Sequence, residues 1–161
     1  MRDFLSRSNT TVPVPYFSMV SSQEGARIVR RRFKDIFTRG DLEVVDEVVA
    51  EDLVTHGQGD DPGTHGAEAF KDWLRWYRSA FTDPEWRVHD VIVAGDKVVA
   101  RYSGKTTYRG GLLDIPPRDQ RVTESGILIY RVEDGKVKEL WSEMSDLQVM
   151  HQLGAFPVPG A

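Results

Sequence analysis

The sequence predicts an α+β fold: a long curled antiparallel sheet wrapped on about three helices, forming a cone with an open mouth. Three observations predict it. Apolar residues recur at helical spacing in the first half, alternate at strand spacing in the second, and turn residues separate the strands at hairpin intervals. Runs of helices followed by a meander of strands exclude a βαβ sheet.

The elements follow in order. Residues 1–20 hold Pro13 and Pro15 and read as an extended, flexible arm. Ser21 and Glu24 stand at capping-box spacing, and Val29, Phe33, Ile36 and Phe37 carry one helical stripe through Thr38. Gly40 can supply the left-handed stop, and Asp41 can cap a short second helix with Leu42, Val45, Val48 and Val49 inward. The stretch from His56 to Gly66 is rich in glycine and acids and reads as a loop. A third helix starts near Gly66, presents Phe70, Trp73, Leu74, Tyr77 and Phe81 on one face, and is ended by Pro84. Strands are predicted at Trp86–Val93, Lys97–Tyr108, Val122–Val132 and Lys136–Ser145, with a closing helical turn at Leu147–Leu153. The last hairpin reads as a three-residue turn, Glu133–Asp134–Gly135, with Val132 facing Lys136, so even-numbered residues of both strands share a face.

Composition narrows the functions. At 161 residues the chain suits one domain, assigned here to residues 21–161. Without cysteine it has no disulfide, thiolate catalyst or zinc–cysteine site. A net charge of −4 argues against a nucleic-acid partner, and the run Arg30–Arg31–Arg32 with Arg27 and Lys34 reads as a solvated helix face. No apolar run reaches the ~20 residues of a membrane span. The first residues lack the pattern of an export signal, so the expected location is the cytoplasm.

Several segments together resemble the SnoaL-like polyketide cyclases of the nuclear transport factor two-like superfamily. They are PGTHGAEAFKDW, Ile115–Pro116–Pro117 with Arg121–Val122, the hairpin from Ile129 through Lys136–Val137 to Glu139 and Trp141, and His151–Gln152–Leu153–Gly154. The resemblance runs from about Glu24 to Pro157 and implies the cystatin-like cone. It also implies ring closure of a polyketide-type ligand without metal or organic cofactor, through a histidine and an aspartate on the last two strands. Laid over this hairpin, those two positions fall on Leu128 and Ser142, so the usual acid–base pair is missing: either the chemistry differs, as in a pericyclic or oxa-cyclisation, or other residues take over the role.

Parity points to replacements. Glu124 lies on the even face with Leu128, and Asp146 shares the parity of Ser142, so the two carboxyls can meet at one end of the hairpin. Two close carboxyls in a poorly solvated site leave one protonated, which suits acid–base work. His56 can reach inward as a proton shuttle. His56, Asp60, Asp61 and His65 match no standard metal-site spacing, so no metal is expected. Trp73, Tyr77, Tyr108, Leu128, Tyr130, Ser142 and Met144 are the expected ligand-binding wall, with Arg101 as a charged anchor if it points inward. Ile127, Ile129 and Trp141 lie on the odd face, where a homodimer would cover them. The leading reading is a cofactor-independent cyclase or isomerase; the alternatives are a non-catalytic small-molecule binder or scaffold, and a dehydratase or hydrolase.

Overall fold

Helix α1 (Ser22–Arg30) begins where Ser21 Oγ accepts the Glu24 N–H at 3.1 Å, the hydroxyl half of a capping box. The computed structural model describes residues 19–56 and 63–156. From Arg31 to Arg39 the helix continues with π geometry, a form that recurs at functional sites. Gly40 ends it at φ 76°, in the left-handed region that only glycine enters without strain. Asp41 Oδ1 then accepts the N–H groups of Glu43 and Val44 and so caps α2 (Glu43–Val48).

An additional strand follows directly, β1 (Val49–His56), where sequence periodicity suggested nothing regular. Its burial does not alternate cleanly, because Glu51 and Asp52 interrupt the apolar pattern. It runs parallel to the last strand, so the sheet is not purely antiparallel. Helix α3 (Ala67–Ala80) stops before Phe81, which begins β2 (Phe81–Ala94). The helix is therefore shorter than expected, and Pro84 sits inside β2. There the register shifts between Thr82 and Glu85 and Asp83 adopts φ 52°. Proline is tolerated because β2 is an edge strand.

Strands β3 (Lys97–Tyr108), β4 (Arg121–Glu133) and β5 (Lys136–Met144) complete a curved, unclosed sheet in the order β1-β5-β4-β3-β2. The β4–β5 turn has two residues rather than three: Glu133 pairs with Lys136 across Asp134 and Gly135, both at positive φ. A bulge follows, in which Val132 pairs with Val137 but Arg131 pairs with Glu139, leaving Lys138 as the extra residue. Beyond the bulge, Tyr130 faces Leu140, Leu128 faces Ser142 and Gly126 faces Met144, so even residues do share a face there. Helix α4 (Asp146–Gln152) closes the chain's described part.

The core lies between the concave sheet face and the helices. Ile28, Ile36, Val45 and Leu74 meet Val98, Ala100, Leu128 and Tyr130, all essentially inaccessible. Burying each large apolar side chain contributes about 1.5–3 kcal/mol. A second cluster around Phe81, Tyr108, Val122 and Val149 fastens α4 to the far end of the sheet. Among the described residues no helix is long and apolar enough to cross a membrane. The arm at residues 1–18 and the acidic pair Asp60–Asp61 lie outside the described residues.

Candidate active site

Between the π-helical segment, α3, α4 and the concave face of the sheet lies a cavity of about 650 Å³. Its walls are aromatic for a reason visible in α3. Phe70, Trp73 and Tyr77 stand three and four residues apart and stack in series, with centroids 5.8 Å and 5.3 Å apart. Phe33 and Phe37 face them from the π segment, and Trp86 and Tyr102 from β2 and β3. Phe33 lies 5.0 Å from Tyr102, and Trp86 5.8 Å from Tyr102. Such pairs add about 0.5–1.5 kcal/mol beyond area burial. Two glycines make room for the larger rings. A Cβ on Gly104 would collide with the Trp86 indole, and one on Gly126 would lie 2.9 Å from Tyr102 Cε1 and 2.7 Å from the Glu143 carbonyl oxygen.

Glu124 is the carboxyl set into this apolar wall. It stands on β4 two residues from Gly126, across the strand pair from Gly104. Tyr77 donates its hydroxyl to Oε2 at 3.2 Å, and Tyr102 donates to Oε1 at 3.4 Å. Burial pushes the Glu124 carboxyl up to about 7, against the two tyrosine hydrogen bonds, and the charge of Asp146 pushes the same way. Burial, with the Glu124 charge next to them, holds both phenols well above their ordinary range. They remain donors while Glu124 exchanges its proton near neutrality.

The remaining expected residues divide. Asp146 lines the cavity, from the first turn of α4 rather than from an extended β5, and burial and Glu143 raise its carboxyl. Trp73, Tyr77, Leu128, Ser142 and Met144 also line it, and Leu128 and Ser142 are direct cross-strand partners. His56 lies at the rim on β1, but its ring stacks on Trp141 at 4.6 Å and its Nε2 meets Glu139 Oε2 at 3.0 Å. Three expectations need correction. Arg101 is exposed, with Nε on Asp90 at 2.6 Å, because β3 buries its even residues Val98, Ala100 and Tyr102. Tyr108 is buried in the second cluster and does not line the cavity. Its hydroxyl donates to the Ile115 carbonyl at 2.9 Å and accepts the Leu112 N–H at 3.1 Å, fastening the proline loop. Tyr130 lies beneath the cavity, lining a small hollow below it, and burial raises its phenol to about 12.

Among the cavity residues that the sequence reading did not assign to the site, Tyr102 and Arg32 bear most on its chemistry. Tyr102 belongs to the alternation Val98, Ala100, Tyr102, a legible signal. Arg32 is not part of a solvated face. It stands three residues after Val29 and four before Ile36, inside the apolar stripe. Its guanidinium lies 4.6 Å from the Phe37 centroid and 5.7 Å from those of Phe70 and Tyr130. Among the described residues no group of three or more metal-ligating side chains could hold a metal ion.

An open sheet folded over helices around an apolar cavity defines the nuclear transport factor two-like class of folds. Residues 27–153 match the SnoaL-like polyketide cyclase family, and the chain belongs to it. Solved structures agree. TsrD from Streptomyces laurentii is 26% identical with a TM-score of 0.75, covering 85% of this chain and 99% of that one. IdmH from Streptomyces antibioticus, a candidate polyketide cyclase, is 26% identical with a TM-score of 0.69, covering 81% and 98%. An epoxide hydrolase from M. tuberculosis shares the fold at 18% identity and a TM-score of 0.64, covering 83% and 91%. No curated protein matches the chain.

Proposed function

We propose that this protein is a cofactor-independent cyclase or isomerase acting on a polyketide-type intermediate, with Glu124 moving the proton. The observation that carries this reading is a buried carboxyl, poised near neutrality by burial and held by two phenols, set among the aromatic rings of the cavity. Shape supplies the first part of the rate. A flexible chain held in a folded conformer reacts with an effective molarity far above any attainable concentration. Glu124 supplies the second. In an oxa-cyclisation its carboxylate takes the proton of the attacking hydroxyl as the carbon–oxygen bond forms. It then returns that proton to the carbon that has gained the electron pair, so atoms and charge balance and no oxidant is required. Such proton transfer contributes about 10²–10⁴-fold. Leu128 and Ser142, in place of the histidine and aspartate that the family resemblance implies, favour this chemistry over an aldol closure.

The test is incubation of the purified protein, working as the proposed cytoplasmic homodimer, with a panel of linear hydroxy-enone precursors. A cyclic isomer of unchanged mass should form faster than background, and Glu124→Gln should abolish the acceleration. No acceleration across the panel, or acceleration that survives Glu124→Gln, defeats the reading. Affinity effects alone would identify a binder. Asp146 beside Glu124 favours a second reading, a hydrolase or dehydratase that uses water. Incorporation of labelled solvent oxygen into product would select hydrolysis. The exposed Ile127 and Ile129 on the convex face support the dimer, and a monomer by light scattering at micromolar concentration would remove it.

A further inference from the structure

We propose that Arg32 anchors an acidic oxygen, so that the cavity takes an apolar molecule carrying a carboxylate or enolate group. This rests on the cavity being a small-molecule site, not on Glu124 being catalytic. A guanidinium presents five N–H donors in a fixed fork, shaped for a carboxylate. In the cavity Arg32 meets ring faces instead: Phe37, Phe70 and Tyr130. Those faces stabilise charge but are poor hydrogen-bond acceptors. Among the described residues its Nε is buried without a hydrogen-bond partner, and no carboxylate there lies within ion-pair distance of its guanidinium. Every other described arginine either bonds a carboxylate, hydroxyl or carbonyl, or is exposed to solvent. Arg31 holds Asp35 and Glu47, Arg78 reaches the Phe37 and Thr38 carbonyls, and Arg87 and Arg118 face water.

Position reinforces the chemistry. Arg32 lines both the main cavity and the small hollow around Tyr130, so it forms part of the floor. Its charge reaches Tyr77, Tyr102, Glu124 and Tyr130, stabilising the anionic form of each. An acidic oxygen on Arg32 therefore holds the ligand in the same cavity that Glu124 lines. The apolar walls lower the local polarity, which strengthens a charge-assisted bond to the fork. The opposing charges are Glu124, when ionised, and Asp146 on α4, which keep the pocket from attracting anions that lack an apolar body.

Calorimetric titration of the whole protein with 2-naphthoate and its neutral isostere 2-naphthamide tests this. Wild type should bind the naphthoate about tenfold more tightly, or about 1.4 kcal/mol. Arg32→Met should reduce that preference below about twofold while leaving naphthamide affinity within about threefold, and Arg32→Lys should keep part of it. Absence of preference in wild type, or a preference that survives Arg32→Met, overturns the anchor. Circular dichroism reports whether Arg32→Met folds, and if it does not, the Arg32→Lys and Arg32→Gln pair decides on the same criterion. Failure of wild type to bind either probe also counts against the anchor. In Glu124→Gln the preference should persist. Loss of turnover there with the anchor intact, or the reverse, separates this inference from the acid–base reading.

Discussion

The concave and convex faces of one sheet carry the same side chain in opposite states. Glu124 on β4 points into the cavity, where burial raises its carboxyl to about 7 and two phenols are its hydrogen-bond partners. Glu139, on the adjoining strand β5, lies on the other face. There it is held down by the His56 hydrogen bond at 3.0 Å and by the Arg131 guanidinium. One carboxyl is available to trade protons near neutrality, and the other is held down as an ionised cross-strand tie there. Residue type does not distinguish them. Solvent and partners do, and both follow from which side of the pleat the residue occupies.

The largest expected effect separates the two faces directly. Glu124→Gln should lower turnover by about 10²–10⁴-fold with ligand affinity within a few-fold, whereas Glu139→Gln should leave turnover within about twofold. Steady-state kinetics and calorimetry on both variants check this, and equal losses would erase the distinction. A packing change comes next. Gly126→Ala places a Cβ against the Tyr102 ring and the Glu143 carbonyl. It should destabilise by about 1–3 kcal/mol in urea unfolding. Turnover should fall with it, since Tyr102 is pushed off Glu124.

The two carboxyls should also divide the pH dependence of stability. Below its unfolded value of 4.5, Glu124 is protonated in both states. Between 4.5 and about 7 the native state keeps a proton that the unfolded chain releases, so its contribution is lost as pH rises through that window. At about 1.4 kcal/mol per pH unit the size is about 3 kcal/mol, and Glu124→Gln should flatten that loss. Glu139 works in the opposite sense. Its carboxyl is lowered, so its contribution is present above the ordinary carboxylate range and lost as pH falls through it. Urea titrations at half-unit pH intervals would resolve both.

Smaller effects refine the cavity side. Tyr77→Phe or Tyr102→Phe removes a bond to the ionised carboxyl. Glu124 should then titrate higher, and the activity profile should move to higher pH with it, by NMR titration and pH–rate measurement. The smallest effect belongs to the rim. His56→Ala removes a partly exposed tie and should cost under about 1 kcal/mol in thermal unfolding with turnover nearly unchanged. A loss approaching that of Glu124→Gln would instead place His56 in the proton path.

Sequence patterns reached most of this molecule where alternation is clean. The even face of β4 put Glu124 and Leu128 in the cavity, and the stripe on α3 supplied Trp73 and Tyr77. Patterns failed where burial is set by the whole assembly. Strand β1 pairs in parallel at a sheet edge, so its apolar residues do not alternate. Arg32 looked solvated because its neighbours Arg30, Arg31 and Lys34 are polar, although its spacing from Val29 and Ile36 is that of the core. Tyr108 and Tyr130 lie on inward positions, but one fastens a loop and the other underlies the floor.

Lys138 has a consequence out of proportion to its chemistry. It is the extra residue by which the β4–β5 ladder passes from Val132–Val137 to Arg131–Glu139. With a two-residue turn and no bulge, Leu128 would stand opposite Trp141 rather than Ser142. Drawing Lys138 into the ladder would thus turn the rest of β5 over, carrying Trp141 and Glu139 into the interior and expelling Ser142 and Met144, whereas deleting it would keep Arg131 on Glu139 and Leu128 on Ser142. A bulge at a single point, independent of any catalytic group, thus decides what this wall of the vessel is made of, since a regular ladder through the same residues would line it differently.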